Sequence, residues 1–484
     1  MTRQKLLDVL RPFGQEHLLA FWDQLSPAEQ IALAGQIDSI DFSLIQRLYK
    51  ERAHQANVRQ LLARAHEPPA FRLPPAENRF TPEQARQTAA EALRAGQLGV
   101  ILVAGGQGTR LGFDHPKGMF PIGPVSKKSL FQIHVEKINA TARRYQVRIP
   151  LYLMTSPATH DETIAYFTAN NRFGLPEEDL IIFCQGTMPA VDLETGRVLL
   201  EGPGQIALSP DGHGGMLAAL DRSGALSDIE RRGLRSLFYF QVDNPLVDIC
   251  GLEFVGYHCL SESELSSQVI AKRDPLERVG VVVDVDGRLM VVEYSDLPDD
   301  LAQLRKPDGS LLYWAGSIAV HVIDASLLRR LAGQADSLPF HIAQKKVPYI
   351  DESANRVDPQ QPNAIKFERF IFDLIPRARN AIVVEVDRAE AFAPLKNAPV
   401  AKEDTPESVI AQMAAQHRDW LRRAGAEVDD QTLVEISPLF ALDADELASK
   451  IGPGIKLAQP TYFGDTEGIV EQAYRVAPRF VPSK

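Results

Sequence analysis

The chain predicts an α/β fold: a Rossmann-like, mixed but mostly parallel sheet, with a helical region before it and a small domain after it. Three observations predict this. From Gly99 onward, short β-branched runs recur: "GVILVAGG", "IPLYLMTS", "DLIIFCQG", "SLFYFQVDNPLV", "SSQVIAK", "RVGVVVDVDG" and "NAIVVEVDR". Continuous apolar runs of that length suit central strands covered on both faces. Helical segments alternate with them, which implies parallel βαβ units with right-handed crossovers. The texture also changes at a proline-rich stretch near residue 70 and again near residue 395.

The elements follow in chain order. Up to about residue 66 the pattern is helical, with Leu6, Leu7 and Leu10, then Ile31, Leu33 and Ile37, at helical spacing. Ser26-Pro27-Ala28-Glu29 is a capping box with proline at the first helical position. "HEPPAFRLPPAENRF" reads as a connector draped over a surface, because Phe71, Leu73 and Phe80 favour burial. Thr81-Pro82-Glu83-Gln84 caps a second helix that should end near Gly96. Asp286-Gly287 turns a β-hairpin inserted in the sheet. Thr405-Pro406-Glu407 opens a helix running to Gly425, and "TLVEISPLFAL" and the glycine-rich tail read as short strands. The expected division is an N-terminal helical region over 1–95, a catalytic domain over 96–394 and a small α+β domain over 395–484.

Composition narrows the function. A chain of 484 residues is long enough for two or three domains. Its formal net charge of −11 argues against nucleic acid as a general partner, though local Lys and Arg can still bind phosphates. The three cysteines are widely spaced, so neither a disulfide framework nor a zinc site is indicated. The N-terminal apolar residues are interrupted by Asp8, Arg11 and Glu16, unlike a signal peptide. The apolar runs are too short to span a bilayer. A soluble cytoplasmic protein, monomeric or weakly self-associating, is the expectation.

The densest chemistry lies in "ILVAGGQGTRLGFDHPKGMFPIG", residues 101–123. Glycines stand at 105, 106, 108 and 112. A dinucleotide fingerprint begun at Gly106 would need glycine at 111, where Leu111 stands. A Walker A loop needs lysine directly after its last glycine, and Phe113 follows Gly112. What remains is a strand, a bare glycine turn, and Arg110 and Lys117 close behind. Backbone N–H groups there can cradle an anion that two cations neutralise. A tight turn with two surface cations would look similar, but the compound pattern favours ligand binding.

This stretch resembles the signature of the UDP-sugar pyrophosphorylase family, on its N-acetylglucosamine branch. The similarity continues in order through "FCQGTMPA", "LSPDGHGGMLAAL", "QVDNPLV", "ERVGVVVDVDG", "VVEYSDL", "AGSIAVHV", "HIAQKKVPYID", "PNAIKFERFIFD" and "FAPLKNA", covering about residues 100 to 400. The resemblance implies a nucleotide-diphospho-sugar transferase fold and a uridylyltransferase. A sugar 1-phosphate oxygen attacks the α-phosphate of UTP, and pyrophosphate leaves with Mg2+. Such chemistry needs positioning and charge neutralisation rather than a protein nucleophile.

By the same resemblance, Gly105, Gly106, Gln107 and Gly108 admit the nucleotide, and Arg110 and Lys117 meet the triphosphate. Gln185, at a strand end, offers a donor and an acceptor to the uracil edge, although a strand-capping glutamine would look alike. Gly212 and His213 open a helix suited to a ribose or phosphate. Asp243, at the end of "LFYFQV", is placed to hold magnesium, although an Asx turn before Pro245 fits as well. Lys396 matches a second phosphate-contacting lysine. Lys366 is a further candidate, on a segment read as helical. Gly280, Glu293 and a turn at Ala315-Gly316-Ser317 match the sugar pocket.

Two positions depart from the acetylglucosamine pattern: His213 and Ser317 stand where asparagines are usual. The changed hydrogen-bond partners bear on which sugar is tolerated. Gln107 and the "GTRLG" to "PKGM" run favour an N-acetylhexosamine 1-phosphate, with UDP-N-acetylglucosamine or a UDP-N-acetylhexosamine as product. Glucose or galactose 1-phosphate is the rival, and a non-catalytic nucleotide-sugar sensor is the alternative outside enzymes.

Overall fold

In the computed structural model, residues 2–52, 58–334, 337–464 and 469–470 are described. The N-terminal region holds α1 (Arg3–Leu10), α2 (Pro27–Ser39) and α3 (Phe42–Glu51). Ser26 caps α2 with both reciprocal bonds of a capping box. Leu6, Leu10, Leu33 and Ile37 are buried, whereas Ile31 is 73% exposed and lies off the apolar face. These helices pack on Val191, Ile206, Ile365 and Phe367, which belong to strands of the central region.

The connector does more than drape. It forms β1 (Ala65–His66) and β2 (Ala70–Phe71), and both join the main sheet. Phe71 stacks on Tyr257 at 4.2 Å, but Leu73 stays exposed, held by its N–H bond to Glu385 rather than by burial.

Helix α4 (Pro82–Arg94) starts at the Thr81 capping box. It leads into β3 (Leu98–Val103), β4 (Leu151–Thr155), β5 (Leu180–Cys184) and β6 (Ser236–Gln241). Next come β7 (Leu265–Ala271), the hairpin β8 (Val281–Val285) and β9 (Arg288–Val292), and β10 (Ala315–Asp324). β11 (His341–Lys345), β12 (Ala364–Glu368) and β13 (Ala381–Glu385) complete the region. The hairpin turns at Asp286 and Gly287, both at positive φ (54° and 79°), as a two-residue turn of this hand requires.

The main path runs β2–β13–β7–β10–β6–β3–β4–β5, with β8 attached through β10. All neighbours on it are parallel except those of β10, which is antiparallel to β7 and β6. The sheet is therefore mixed and mostly parallel. Apolar clusters cover both faces. β3, β4, β6 and β7 are buried nearly throughout, as expected, but only Phe183 of β5 is. β5 is the last strand on its side and has one neighbour.

β10 departs from the expectation. Ala315-Gly316-Ser317 is the start of a ten-residue strand, not a turn. Its register against β7 slips between Ser267 and Val269, and Ala319 takes a φ of 57°. That bulge breaks the period-two pattern by which strands are read. Lys366 likewise lies on a strand, β12, and not on a helix.

Beyond these, α5 (Pro406–Arg423) begins at Thr405 and ends before Gly425, whose φ is +86°. β14 (Val434–Ile436) pairs in parallel with β15 (Thr461–Phe463). Residues 465–468 and 471–484 of the expected tail lie outside the described residues. The buried Glu435 of β14 accepts from the N–H groups of Val125 (2.7 Å) and Ser126 (2.6 Å), and from the Ser126 hydroxyl (2.6 Å). The C-terminal strands thus grip the chain just beyond the glycine loop.

Candidate active site

The loop after β3 folds back on itself. The Lys117 N–H donates to the Gly106 carbonyl (3.0 Å), and the Gly108 N–H donates to that of His115 (2.8 Å). Between them runs a single turn, Thr109–Leu111, closed by Gly112 at a φ of 69°. A side chain on Gly108 would strike Phe113 at 2.7 Å, so that glycine serves packing. Nothing lies within 4 Å of the side-chain position of Gly106, which opens on space. At Gly105, a Cβ would sit 3.2 Å from Gln185 Oε1, so the bare backbone and the Gln185 amide share one corner. Gln107 and Arg110 are exposed, and among the described residues Arg110 enters no ion pair.

Across from this loop, β6 delivers Asp243. Its carboxylate lies 3.8 Å from Lys117 Nζ, with both side chains mostly buried. The same ammonium donates to the Leu395 carbonyl (3.3 Å), and the Leu395 N–H donates to the Asp243 carbonyl (2.8 Å). Lys396 is therefore the residue after one that touches both. The Lys396 N–H is held by the Asp404 carbonyl at 2.9 Å. Burial pushes the Asp404 carboxyl up, while Lys396 pulls it the other way. A cavity of about 750 Å3 adjoins, with Arg273, Arg388, Lys396 and Asp404 in its wall. Asp243 is a single carboxylate, and among the described residues no three His, Cys, Asp or Glu side chains group as a metal cage. That donor set fits a magnesium ion held mainly by phosphates, which keeps only one or two protein carboxylates.

The sugar-side candidates also converge. A Cβ on Gly280 would lie 3.3 Å from Glu293 Oε1, and the Ser317 N–H donates to the Gly280 carbonyl at 2.8 Å. Burial, then Asp296, raises the Glu293 carboxyl above its usual range; His341 and Lys396 oppose this. Lys396 thus acts electrostatically on Glu293.

The second glycine cluster is built differently. Gly212 has a φ of +84°, and a Cβ there would meet the Arg369 carbonyl at 2.4 Å. Gly214 and Gly215 are as tightly packed, and their N–H groups donate to Arg369 (2.8 Å) and Gly212 (3.0 Å). These donors are engaged inside the protein. His213 is the group that this turn aims. Its Nδ1 accepts from the Ile371 N–H (3.1 Å), and its ring stacks on Phe370. Burial, reinforced by His341, pushes the imidazole down to about 4. It is neutral at pH 7, and with Nδ1 accepting, the proton sits on Nε2, which is a donor.

Sequence reasoning did not single out His341, Asp373 or Asn244. His341 Nε2 pairs with Asp373 Oδ2 at 2.8 Å, and its ring lies 4.3 Å from Phe370. Burial works against the charged imidazole, but the Asp373 hydrogen bond and charge raise it above its ordinary value. His341 stands in a quoted motif, yet only the fold brings it to His213. Lys366 alternates with Ile365 and Phe367, which pack on the N-terminal helices. It lies on the opposite face, with Glu368, whose Cβ abuts Gly212.

The model of the UTP–glucose-1-phosphate uridylyltransferase family matches residues 42–445, and the chain belongs to that family. The human UDP-N-acetylhexosamine pyrophosphorylase-like protein 1 is 37% identical over 476 residues, covering 90% of this chain and 92% of that protein. The UDP-N-acetylglucosamine pyrophosphorylase of Saccharomyces cerevisiae is 36% identical over 452 residues, covering 90% of this chain and 94% of its own length. The crystal structure of the uridine diphosphate N-acetylglucosamine pyrophosphorylase from Trypanosoma brucei superposes with a TM-score of 0.79 at 27% identity, covering 95% of this chain and 99% of that one. Among the described residues no helix is long and apolar enough to cross a membrane.

Proposed function

We propose that this chain is a magnesium-dependent uridylyltransferase that makes UDP-N-acetylglucosamine, or a UDP-N-acetylhexosamine, and pyrophosphate from UTP and the sugar 1-phosphate. The observation that carries the reading is the meeting of Lys117, Asp243 and the Leu395–Lys396 backbone behind the open Gly106 turn. Opposite charges 3.8 Å apart, one on a loop turn and one just past a strand end, suit a polyphosphate and its cation better than they suit stability, because desolvating such a pair offsets much of what it gains. The names of the relatives point the same way.

In this reading the sugar phosphate oxygen forms a bond to the α-phosphorus, and the bond from that phosphorus to the bridging oxygen of pyrophosphate breaks. Lys117 and Arg110 offset the charge on the triphosphate, and Lys396 holds the incoming phosphate in line. Gln185 orients the uracil against Gly105. Glu293, Gly280 and Ser317 receive the sugar hydroxyls, and Lys366 is a further substrate-binding candidate. Asp243 would hold Mg2+, which when bound neutralises developing charge on the phosphates. No proton transfer through a side chain is required. A cytoplasmic location, a monomeric or weakly associating state and a catalytic segment over 96–394 belong to the same reading.

His213 and Ser317 favour a second substrate class. A neutral Nε2–H donor and a short hydroxyl replace two amides, so glucose or galactose 1-phosphate is the competing acceptor. A pyrophosphate-release assay with UTP, Mg2+ and a panel of sugar 1-phosphates tests both. N-acetylglucosamine 1-phosphate should give the highest kcat/KM. A preference for glucose 1-phosphate would replace the acetylated substrate. Silence across the panel with UDP-sugar still bound would make the chain a sensor.

A further inference from the structure

We infer that Asn244 is a positioning residue that sets the spacing between the Asp243 carboxylate and the Lys396 segment. The inference rests on the uridylyltransferase reading for its catalytic consequence. Asn244 is 3% exposed and stands directly after Asp243. Its side-chain oxygen accepts from the Leu246 N–H (3.3 Å) and from the Ala393 N–H (3.0 Å). Its amide nitrogen donates to the Ala391 carbonyl at 2.8 Å. The first bond is a local turn. The other two cross almost 150 residues of sequence and fasten the irregular segment 391–395 to the turn that carries Asp243.

An Asx turn before a proline needs only the Leu246 bond. The amide accepts and donates across the gap at once, whereas a carboxylate would face the Ala391 carbonyl with no donor. The remaining links are one backbone bond, Leu395 N–H to the Asp243 carbonyl, and one from a side chain, Lys117 Nζ to the Leu395 carbonyl. The turn itself is fixed from beneath. Lys137, half-buried on the helix Leu130–Tyr145, donates to the carbonyls of Pro245 (2.6 Å) and Val247 (2.8 Å), and His134 bonds that of Val242 at 3.0 Å. Asp243 is thus anchored by the core, and Asn244 transmits that position to Lys396.

Asn244→Ser and Asn244→Ala separate the two roles. Serine keeps a hydroxyl for the local turn but cannot span to Ala391 and Ala393; alanine removes both. Amide hydrogen exchange on the full chain without substrates should show faster exchange at 391–397 in both variants, with 236–241 unchanged. Turnover should fall at least tenfold in Asn244→Ser, with the KM for UTP within about threefold, because misplacement by about 1 Å can cost a hundredfold in rate. Asn139→Ala, which removes a bond to the Phe173 carbonyl (2.9 Å) and none to residues 242–247 or 391–397, should lower Tm and leave kcat intact. Wild-type kcat and unchanged exchange at 391–397 in Asn244→Ser would overturn the assignment. Equal loss of kcat in Asn139→Ala would overturn it too, by reducing the effect to general destabilisation. An inactive wild-type chain would sink the uridylyltransferase reading, while the exchange comparison would still decide whether Asn244 holds the segment.

Discussion

Two glycine clusters, 105–108 and 212–215, look alike in sequence and do opposite work. In the first, Gly106 faces open space while its carbonyl is held by the Lys117 N–H, so the backbone is left accessible beside two cations. In the second, every side-chain position is filled: by the Arg369 backbone at Gly212, by Phe370 at Gly214 and by Asp211 at Gly215. The first cluster leaves open space at Gly106, although its Gly108 is packed against Phe113. The second makes room for the protein, and what it delivers is a side chain, His213. A run of glycines therefore announces a close approach without saying whether the visitor is ligand or backbone.

Four substitutions break or sharpen this contrast. The largest effect belongs to Lys117→Ala, which should lower kcat about 10²–10³-fold, the usual cost of removing one donor aimed at developing charge, with Tm nearly unchanged. Pyrophosphate release and thermal melting read the two halves; full activity would remove Lys117 from the chemistry. Gly212→Ala should act through the fold. Strain at a φ of +84° and overpacking at 2.4 Å each cost roughly 1–3 kcal/mol, so denaturant unfolding should show a loss of about 3 kcal/mol. A melting curve like that of the wild type would contradict the packing role. Gly106→Ala should shift stability by less than about 0.5 kcal/mol, as at other open surface sites. It should still raise the KM for UTP several-fold, a change visible in initial rates.

The smallest effect concerns pH. His213 falls from an ordinary 6.5 to about 4 in the folded chain. A depressed imidazole binds fewer protons folded than unfolded, so its contribution is present above pH 6.5 and is lost as pH falls toward 4. His134, His258, His321 and His417 are lowered by burial in the same way, so Tm should drop over that interval. His213→Asn should make the drop slightly shallower; an unchanged acid slope would mean that His213 titrates normally.

What the sequence made legible is what local chemistry decides. Ser26, Thr81 and Thr405 start helices because each caps its own first turn. Asp286-Gly287 turns a hairpin because few dipeptides tolerate two positive φ values. The long apolar strands are read from burial alone. β10 escaped because a bulge at Ala319 interrupts its alternation, and Lys366 was placed on a helix because its apolar neighbours fit either period. At the candidate site, Gly105, Gln185, Lys117 and Asp243 could be picked by their residue types and flanks, and Lys396 only by its resemblance to a family motif. His341, Asp373 and Asn244 could not, because their partners stand 32 to 149 residues away in sequence.

The two-residue strand β2 has a bearing on how the molecule behaves in a crowd. It covers Val383 and Val384 at one margin of the main sheet, and Arg72 and the Leu73 N–H fasten it by bonding the Glu385 carboxylate (2.7 and 3.0 Å). Without it, β13 would present a row of unpaired backbone groups beside valines, the template on which strands of other molecules add. The prolines that follow β2 cannot extend such pairing. The connector therefore acts as a guard against self-association, and a chain shortened past residue 73 should form aggregates even where the glycine loop and its cations are intact.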